Sequence, residues 1–89
     1  MTTREEIRET IRSFILANFL PGEAPETLKD STLLISSGVM TSLSLLELVT
    51  FLEEKFSFTL EPEDIRVGHM DTIDLMTDLV MSRAGKTLG

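Results

Sequence analysis

The chain has 89 residues, of which 42% are hydrophobic, with no cysteine and a formal net charge of −7 at pH 7. This length allows one domain with a small core, and the lack of cysteine excludes disulfides, thiolate nucleophiles and zinc–thiolate sites. No apolar run reaches the roughly 20 residues of a membrane span, and the N terminus lacks a signal-peptide pattern, so we expect an unprocessed cytoplasmic protein. The acidic charge argues against nucleic acid as a partner.

The first predicted element is a helix near the N terminus. Its apolar residues follow the i, i+4, i+7, i+8 spacing of one helical face, at Ile7, Ile11, Phe14 and Ile15. Thr3 and Glu6 have the spacing of a capping box, which places the start of the helix just after Thr3. Pro21-Gly22 predicts that the helix ends near Phe19 or Leu20.

Residues 21–41 form a long predicted loop that carries several apolar side chains, namely Leu28, Leu33, Leu34, Ile35, Val39 and Met40. Loops of this length without regular structure are uncommon in a small domain. We therefore expect this loop to be anchored to the core by these side chains, to serve function, or both.

A second helix is predicted from about Ser42 to Phe56. Its inner stripe consists of Leu45, Leu48, Val49, Leu52 and Phe56, and its polar flank contains Glu47, Glu53 and Glu54. Leu43, Leu46 and Phe51 lie at the edges of the stripe, so the helix is apolar over a wider arc than a surface helix usually is. Part of that surface is expected to contact something other than the core.

The remaining segments predict an all-α fold. Residues 57–60 are expected to be an extended connector, residues 61–65 a short helix with proline in its first turn, and residues 67–70 a linker. A last helix is predicted from about Asp71-Thr72, one of which caps it, to about Arg83. The prediction is one domain over residues 1–84, an antiparallel bundle of three principal helices plus a short one, followed by a disordered tail over residues 85–89.

The chain offers few reactive groups apart from one serine. His69 is the single histidine and lies in the predicted linker, the five glycines are scattered, and the acids at 61–64 lack the spacing of a calcium loop. Ser42 stands where a glycine-bearing loop becomes a helix. On its own, such a residue, or its neighbour Thr41, is most simply a helix cap.

The surroundings of this serine resemble the acyl carrier protein family. The resemblance rests on residues 33–43, Leu-Leu-Ile-Ser-Ser-Gly-Val-Met-Thr-Ser-Leu, and on the apolar and acidic pattern that follows them to Phe56. It implies that Ser42 receives 4′-phosphopantetheine from coenzyme A by the action of a phosphopantetheinyl transferase. It also implies a docking surface for enzymes that load and transfer acyl or aminoacyl groups. On this surface the acidic residues Glu47, Glu53 and Glu54 bind basic patches of the enzymes, and Thr41 and Leu43 next to Ser42 belong to it as well. A field of net charge −5 over residues 42–64 fits basic partners independently.

Three positions depart from the family pattern. Thr41 stands where the family usually has aspartate, Ser44 where fatty-acid carriers often have a second acid, and Ser36 where many relatives have aspartate. Enzymes tuned to fatty-acid carriers are therefore expected to recognise this chain poorly. The departures favour a specialised lipid, polyketide or nonribosomal pathway over general fatty-acid synthesis.

The resulting hypothesis is a monomeric carrier that catalyses no reaction and binds no metal. An unmodified adaptor that uses the same acidic helix is the alternative, and a small hydrolase using Ser42 would need a general base within reach. Cargo is expected either to stay exposed or to enter a cleft beside the second helix. The residues considered for its walls are first of all core candidates, and they are Leu45, Leu46, Val49, Phe51, Leu60, Ile65, Ile73 and Met76.

Overall fold

Helices make up all the regular structure in the described part of the chain. The structure is a computed structural model that describes residues 3–24, 26 and 28–88, with the backbone alone described at Val67 and residues 84–88. The α-helices are α1 (Arg4–Phe19), α2 (Ser42–Phe56), α3 (Val67–Met70) and α4 (Ile73–Leu88), and a 3-10 helix spans Pro62–Asp64. The radius of gyration is 12.2 Å. The predicted all-α class is confirmed, and within the described ranges none of the helices is long and apolar enough to cross a membrane.

Helix α1 has the bounds that its sequence predicts. The Thr3 hydroxyl accepts a hydrogen bond from the Glu6 N–H at 3.2 Å, which satisfies one of the free donors at the start of the helix. Ile7, Ile11 and Ile15 are buried along its inner face. The chain leaves the helix at Phe19 and turns at Gly22, whose φ of +91° is a conformation that favours glycine.

The long loop after α1 is anchored, as predicted. Leu28, Leu34 and Met40 are buried in the core, and Ile35 and Val39 pack against it. Leu33 is the exception, since 51% of it is exposed. The loop therefore has several fixed points along its length, and the last of them, Met40, lies two residues before Ser42.

Helix α2 also begins and ends where predicted. Leu48, Val49 and Leu52 are buried, whereas Leu45 and Phe56 are only partly covered. The helix ends at Phe56, and Ser57 caps it in a left-handed conformation with φ of 53°. The Phe51 ring stacks on the Phe14 ring of α1, with 4.1 Å between their centroids, and this contact joins the two helices.

The connection from α2 to α4 differs from the prediction at two points. The connector predicted to be extended over residues 57–60 begins with Ser57 in a left-handed conformation, and the residues after it have no regular structure, with Phe58 and Leu60 buried. The 3-10 helix follows with proline in its first turn, as expected. Residues 67–70, however, form helix α3 rather than a linker. The N–H groups of His69 and Met70 both bond to the Arg66 carbonyl at 2.9 Å, and the fully buried Met70 side chain stabilises this turn.

Helix α4 begins as predicted but continues further. Thr72 is its cap, because its hydroxyl accepts the Leu75 N–H at 3.1 Å. The predicted end at about Arg83 is wrong, since the backbone stays helical to Leu88 with Gly85 inside the helix. The proposed tail reaches Gly89, which lies outside the described residues, and its disorder stays a prediction.

Ion pairs tie the elements together on the polar side of the core. Arg4, Arg8 and Arg12 of α1 pair with acids of the loop and of α4, which are Asp30, Asp74 and Asp78. At the other end of α4, the Arg83 guanidinium donates to the buried Asp64 at 2.5 Å, and this hydrogen bond lowers the pKa of that carboxyl. Helix α2 packs against both α1 and α4, and Leu43, Leu46, Glu47 and Glu54 on its outer side are exposed.

Candidate functional site

Ser42 is the first residue of α2, and its side chain is exposed. The preceding Thr41 caps the helix: its backbone is extended, and its hydroxyl accepts the Ser44 N–H at 3.3 Å and lies 3.2 Å from the Ser44 hydroxyl. The Ser42 hydroxyl makes no hydrogen bond with any residue that the structure describes. Of the two candidate caps, Thr41 therefore does the capping, and the Ser42 hydroxyl is left unengaged.

The backbone around Ser42 suits a negatively charged substituent. The first N–H to bond back within the helix is that of Leu45, to the Thr41 carbonyl at 2.9 Å. The N–H groups of Ser42 and Leu43 precede this bond and belong to the free donors of a helix N-terminus, where the helix dipole is positive. The first turn contains no acidic side chain. A phosphate ester on Ser42 would meet donors and a positive field with no carboxylate beside it.

A buried carboxylate holds the loop that leads to Ser42. Asp71, 7% exposed, accepts the N–H groups of Ile35 and Ser36 on Oδ1, at 2.8 and 2.9 Å, and the Ser36 hydroxyl on Oδ2 at 2.5 Å. The hydrogen bond from the Ser36 hydroxyl, followed by that from the Ser36 N–H, lowers the pKa of Asp71. The sequence suggested Asp71 as a possible cap of α4, a role that Thr72 fills.

No signal in the sequence predicted this use of Asp71. The two partners are 35 residues apart in the chain, and an aspartate before a helix is normally interpreted as a cap. The one available signal was that two candidate caps, Asp71 and Thr72, stand next to each other before α4. Since a helix needs only one cap, the other residue was free for a different role.

Backbone hydrogen bonds also hold the loop, one to Asp71 and two within the loop itself. The Leu34 N–H bonds to the Asp71 carbonyl at 2.7 Å, and the Met40 N–H bonds back to the Leu34 carbonyl at 2.9 Å. Between them, a turn at Gly38, with φ of +87°, is closed by the Gly38 N–H and the Ile35 carbonyl at 3.1 Å. Ser42 thus follows a loop segment, residues 34–40, that is closed by the hydrogen bond between the Met40 N–H and the Leu34 carbonyl.

The exposed face of α2 combines apolar and acidic side chains. Leu43 is 68% and Leu46 57% exposed, and Glu47 and Glu54 are exposed as well. Glu47 follows Leu43 by four residues and Glu54 follows it by eleven, and these spacings place all three on one side of the helix. This side of α2 therefore places exposed apolar area beside two carboxylates.

Glu53 differs from the other two predicted docking acids. It is half-buried, and its carboxylate accepts the Leu60 N–H at 2.8 Å. It therefore stabilises the connector after α2, whereas Glu47 and Glu54 make no such bond in the described residues. Glu53 contributes negative charge to this side of the protein but its side chain is already engaged.

The residues considered for a cargo cleft mostly belong to the core. Val49, Leu60, Ile73 and Met76 are buried, and Leu45, Phe51 and Ile65 are packed against the core. A groove of about 500 Å³ instead lies between α1 and α2, lined by eight residues: Glu9, Thr10, Ser13, Phe14, Ala17, Asn18, Phe51 and Lys55. Phe51 is the one residue of the predicted lining that also lines this groove.

Among the residues that the structure describes, the site does not have those of a hydrolase or a metal centre. In the described ranges, no histidine or carboxylate bonds to the Ser42 hydroxyl, and no group of three His, Cys, Asp or Glu side chains is placed to hold a metal ion. His69 is exposed in α3. The geometry of the site is that of a presented hydroxyl without a general base in contact with it.

No protein-family model matches the chain, and no curated protein matches its sequence. The features of the site that bear on function are the unengaged Ser42 hydroxyl, the free N–H groups next to it and the exposed face of α2.

Proposed function

We propose that this protein is a carrier that bears 4′-phosphopantetheine on Ser42. The observation that carries the proposal is the position of the Ser42 hydroxyl, exposed and without a hydrogen-bond partner in the described residues, while Thr41 does the capping. The resemblance of residues 33–43 to acyl carrier proteins points to the same serine. The protein itself catalyses no reaction in this proposal.

The residues around Ser42 fit this group. In this proposal the Ser42 oxygen attacks the phosphorus of coenzyme A that carries the pantetheine group, and the pyrophosphate bond breaks. Adenosine 3′,5′-bisphosphate leaves, and the serine proton goes to a base of the transferase. The free N–H groups of Ser42 and Leu43, with no acid in the first turn, favour the phosphate charge. When bound, the group supplies a thiol that holds an acyl or aminoacyl cargo as a thioester.

The exposed face of α2 is the proposed docking surface. Leu43 and Leu46 offer apolar area, and Glu47 and Glu54 attract basic side chains of the partner. The field of charge −5 over residues 42–64, to which Glu53 contributes, speeds the encounter at low salt. The partners are the transferase and the enzymes that load and unload the arm.

The residue before Ser42 supports a specialised pathway. Thr41 keeps the capping role that an aspartate would have there, but it brings no charge to the surface beside the serine. Partners that require that charge bind this chain weakly. We therefore place the protein in a specialised lipid, polyketide or nonribosomal pathway, as a cytoplasmic monomer with the antiparallel carrier-like bundle.

The second candidate is an adaptor of similar shape that is never modified. The exposed face of α2 favours it, because Leu43, Leu46, Glu47 and Glu54 can bind a basic partner whether or not Ser42 carries a group. Under this alternative, Ser42 is an ordinary surface serine. The two candidates differ in whether a transferase modifies the chain.

The test is intact-mass measurement after incubation with coenzyme A, magnesium and a broad-specificity phosphopantetheinyl transferase. The proposal predicts a mass gain of one phosphopantetheine for wild type and for Ser44→Ala, and no gain for Ser42→Ala. Ser44 is the matched control because its hydroxyl lies on the same turn. Wild type that gains no mass while a known carrier in the same tube is modified would favour the adaptor.

A further inference from the structure

Asp71 lies at the junction of α3 and α4 but directs its side chain to a distant loop. Its carboxylate accepts three hydrogen bonds from Ile35 and Ser36, and its carbonyl accepts a fourth from the Leu34 N–H. Asp71 is 7% exposed whereas Ser36 is exposed, so these bonds are partly shielded from water. A single residue thereby fixes three consecutive positions of the loop.

The connection from Asp71 to Ser42 is short. The Leu34 N–H bonds to the Asp71 carbonyl, and the Leu34 carbonyl in turn accepts the Met40 N–H at 2.9 Å. Leu34 therefore connects Asp71 to Met40. The Met40 side chain is buried, which fixes the end of the loop a second time. Thr41 and Ser42 follow directly, and Thr41 sets the first turn of α2 through its bond to Ser44.

We propose that Asp71 is a positioning residue for Ser42, holding loop 34–40 so that the hydroxyl is presented to the modifying enzyme in one geometry. This inference rests on the proposed function of Ser42. A loop that is already ordered costs its partner less conformational entropy on binding, and a nucleophile displaced by about 1 Å reacts up to about a hundredfold more slowly.

Ser36 and Asp71 form a matched pair in this arrangement. The Ser36 oxygen lies 2.5 Å from Oδ2 of Asp71, so a carboxylate at position 36 would face a second carboxylate in a partly buried place. Serine, in contrast, donates to Asp71 through both its hydroxyl and its N–H. The serine at position 36 and the aspartate at position 71 are therefore suited to each other.

The test compares Asp71→Ala, Asp71→Asn and Thr72→Ala. The alanine at 71 removes all three side-chain bonds to the loop. The asparagine keeps an oxygen for the two N–H groups, and its amide donates to the Ser36 oxygen. Thr72→Ala, at the adjacent position, removes the bond from the Leu75 N–H and so weakens the start of α4, but it leaves the bonds between Asp71 and the loop in place. It is the matched control for a general loss of stability.

Two readouts are needed, both at a temperature where every variant is folded. The first is hydrogen exchange at the amides of residues 35–42. The second is kcat/KM of the transferase. We expect Asp71→Ala to exchange faster there and to lose about ten- to a hundredfold in kcat/KM. We expect Asp71→Asn to recover most of both, and Thr72→Ala to resemble wild type.

The proposal is overturned if Asp71→Ala is modified as fast as Thr72→Ala, or if Asp71→Asn shows no recovery. If wild type is not modified at all, the proposed function fails, and hydrogen exchange then decides the positioning alone: unchanged exchange in Asp71→Ala overturns it. Should Asp71→Ala not fold, Ser36→Ala takes its place, because it removes one of the three side-chain bonds. An intermediate loss is expected there, and wild-type behaviour contradicts the proposal.

Discussion

Two leucines of α2 have opposite surroundings, and replacing each by alanine separates stability from docking. Leu48 is fully buried, whereas Leu43 is 68% exposed and follows Ser42 directly. Both substitutions remove the same atoms from the same helix. Alanine favours helix at both positions, so the difference between the variants comes from what each side chain contacts.

Leu48→Ala leaves a cavity in a small core. Buried leucine-to-alanine changes cost about 2.7–5 kcal/mol, and a domain of this size has roughly 4–13 kcal/mol of stability in total. We expect the midpoint of urea unfolding to fall by about a fifth or more. At a temperature where the variant is still folded, the rate of modification at Ser42 should stay near that of wild type, because Leu48 has no exposed surface to offer a partner.

Leu43→Ala should show the reverse. A surface change of this kind alters stability by no more than about 0.5 kcal/mol. A fully buried leucine gains about 1.5–3 kcal/mol, of which the exposed two thirds, about 1–2 kcal/mol, are left for a partner to bury. This corresponds to a loss of roughly 5- to 30-fold in kcat/KM of the transferase.

The assays are urea unfolding followed by circular dichroism and steady-state kinetics of the transferase with varied carrier. The reasoning is refuted if Leu43→Ala unfolds at a clearly lower urea concentration than wild type while its kinetics stay unchanged. It is equally refuted if Leu48→Ala leaves the midpoint where it was. Leu46→Ala, with 57% of its leucine exposed, should behave like Leu43→Ala and serves as a second member of the docking class.

Two further predictions concern the charged groups. Hydrogen bonds from Ser36 hold the pKa of Asp71 below its ordinary value of 3.8, so its contribution to stability is complete above that value and is lost as the pH falls through the lower folded value. Urea midpoints measured downward from about pH 5 should therefore decline less steeply in Asp71→Asn than in wild type, and equal slopes would contradict this. Arg12 donates to the Leu28 carbonyl and to Asp30 from a mostly buried position, so Arg12→Ala should lose about 1–3 kcal/mol of unfolding free energy, while the more exposed Arg4→Ala should lose under about 1 kcal/mol. An equal loss in the two arginine variants would show that burial does not set the difference.

The helices could be predicted because their signals are local. The spacing of Ile7, Ile11 and Ile15 and the cap at Thr3 fix α1, and the stripe around Leu48 and Leu52 fixes α2. Helix α3 escaped prediction because four residues are too few for a periodic pattern, and a buried methionine rather than a motif stabilises it. Helix α4 continues past the predicted end at about Arg83 because a helix can contain a glycine such as Gly85 at some cost in stability.

The candidate site could be predicted only where it depends on neighbours in the chain. Ser42, Thr41 and the exposed Leu43 follow from the start of α2. The role of Asp71 could not be predicted, because its bonds to Ile35 and Ser36 depend on how the loop and α4 meet in the folded chain. The same holds for Glu53, whose bond to the Leu60 N–H separates it from two acids that look equivalent in sequence.

The central claim is that the Ser42 oxygen carries phosphopantetheine, and fragmentation of the modified chain tests it most directly. The protein is incubated with coenzyme A and the transferase and digested, and the peptides spanning residues 34–55 are sequenced by tandem mass spectrometry. The account predicts that the added mass lies on Ser42, and that none lies on Ser36, Ser37, Thr41 or Ser44. Added mass on one of those residues, or an unmodified Ser42 while a known carrier is fully converted, would contradict it.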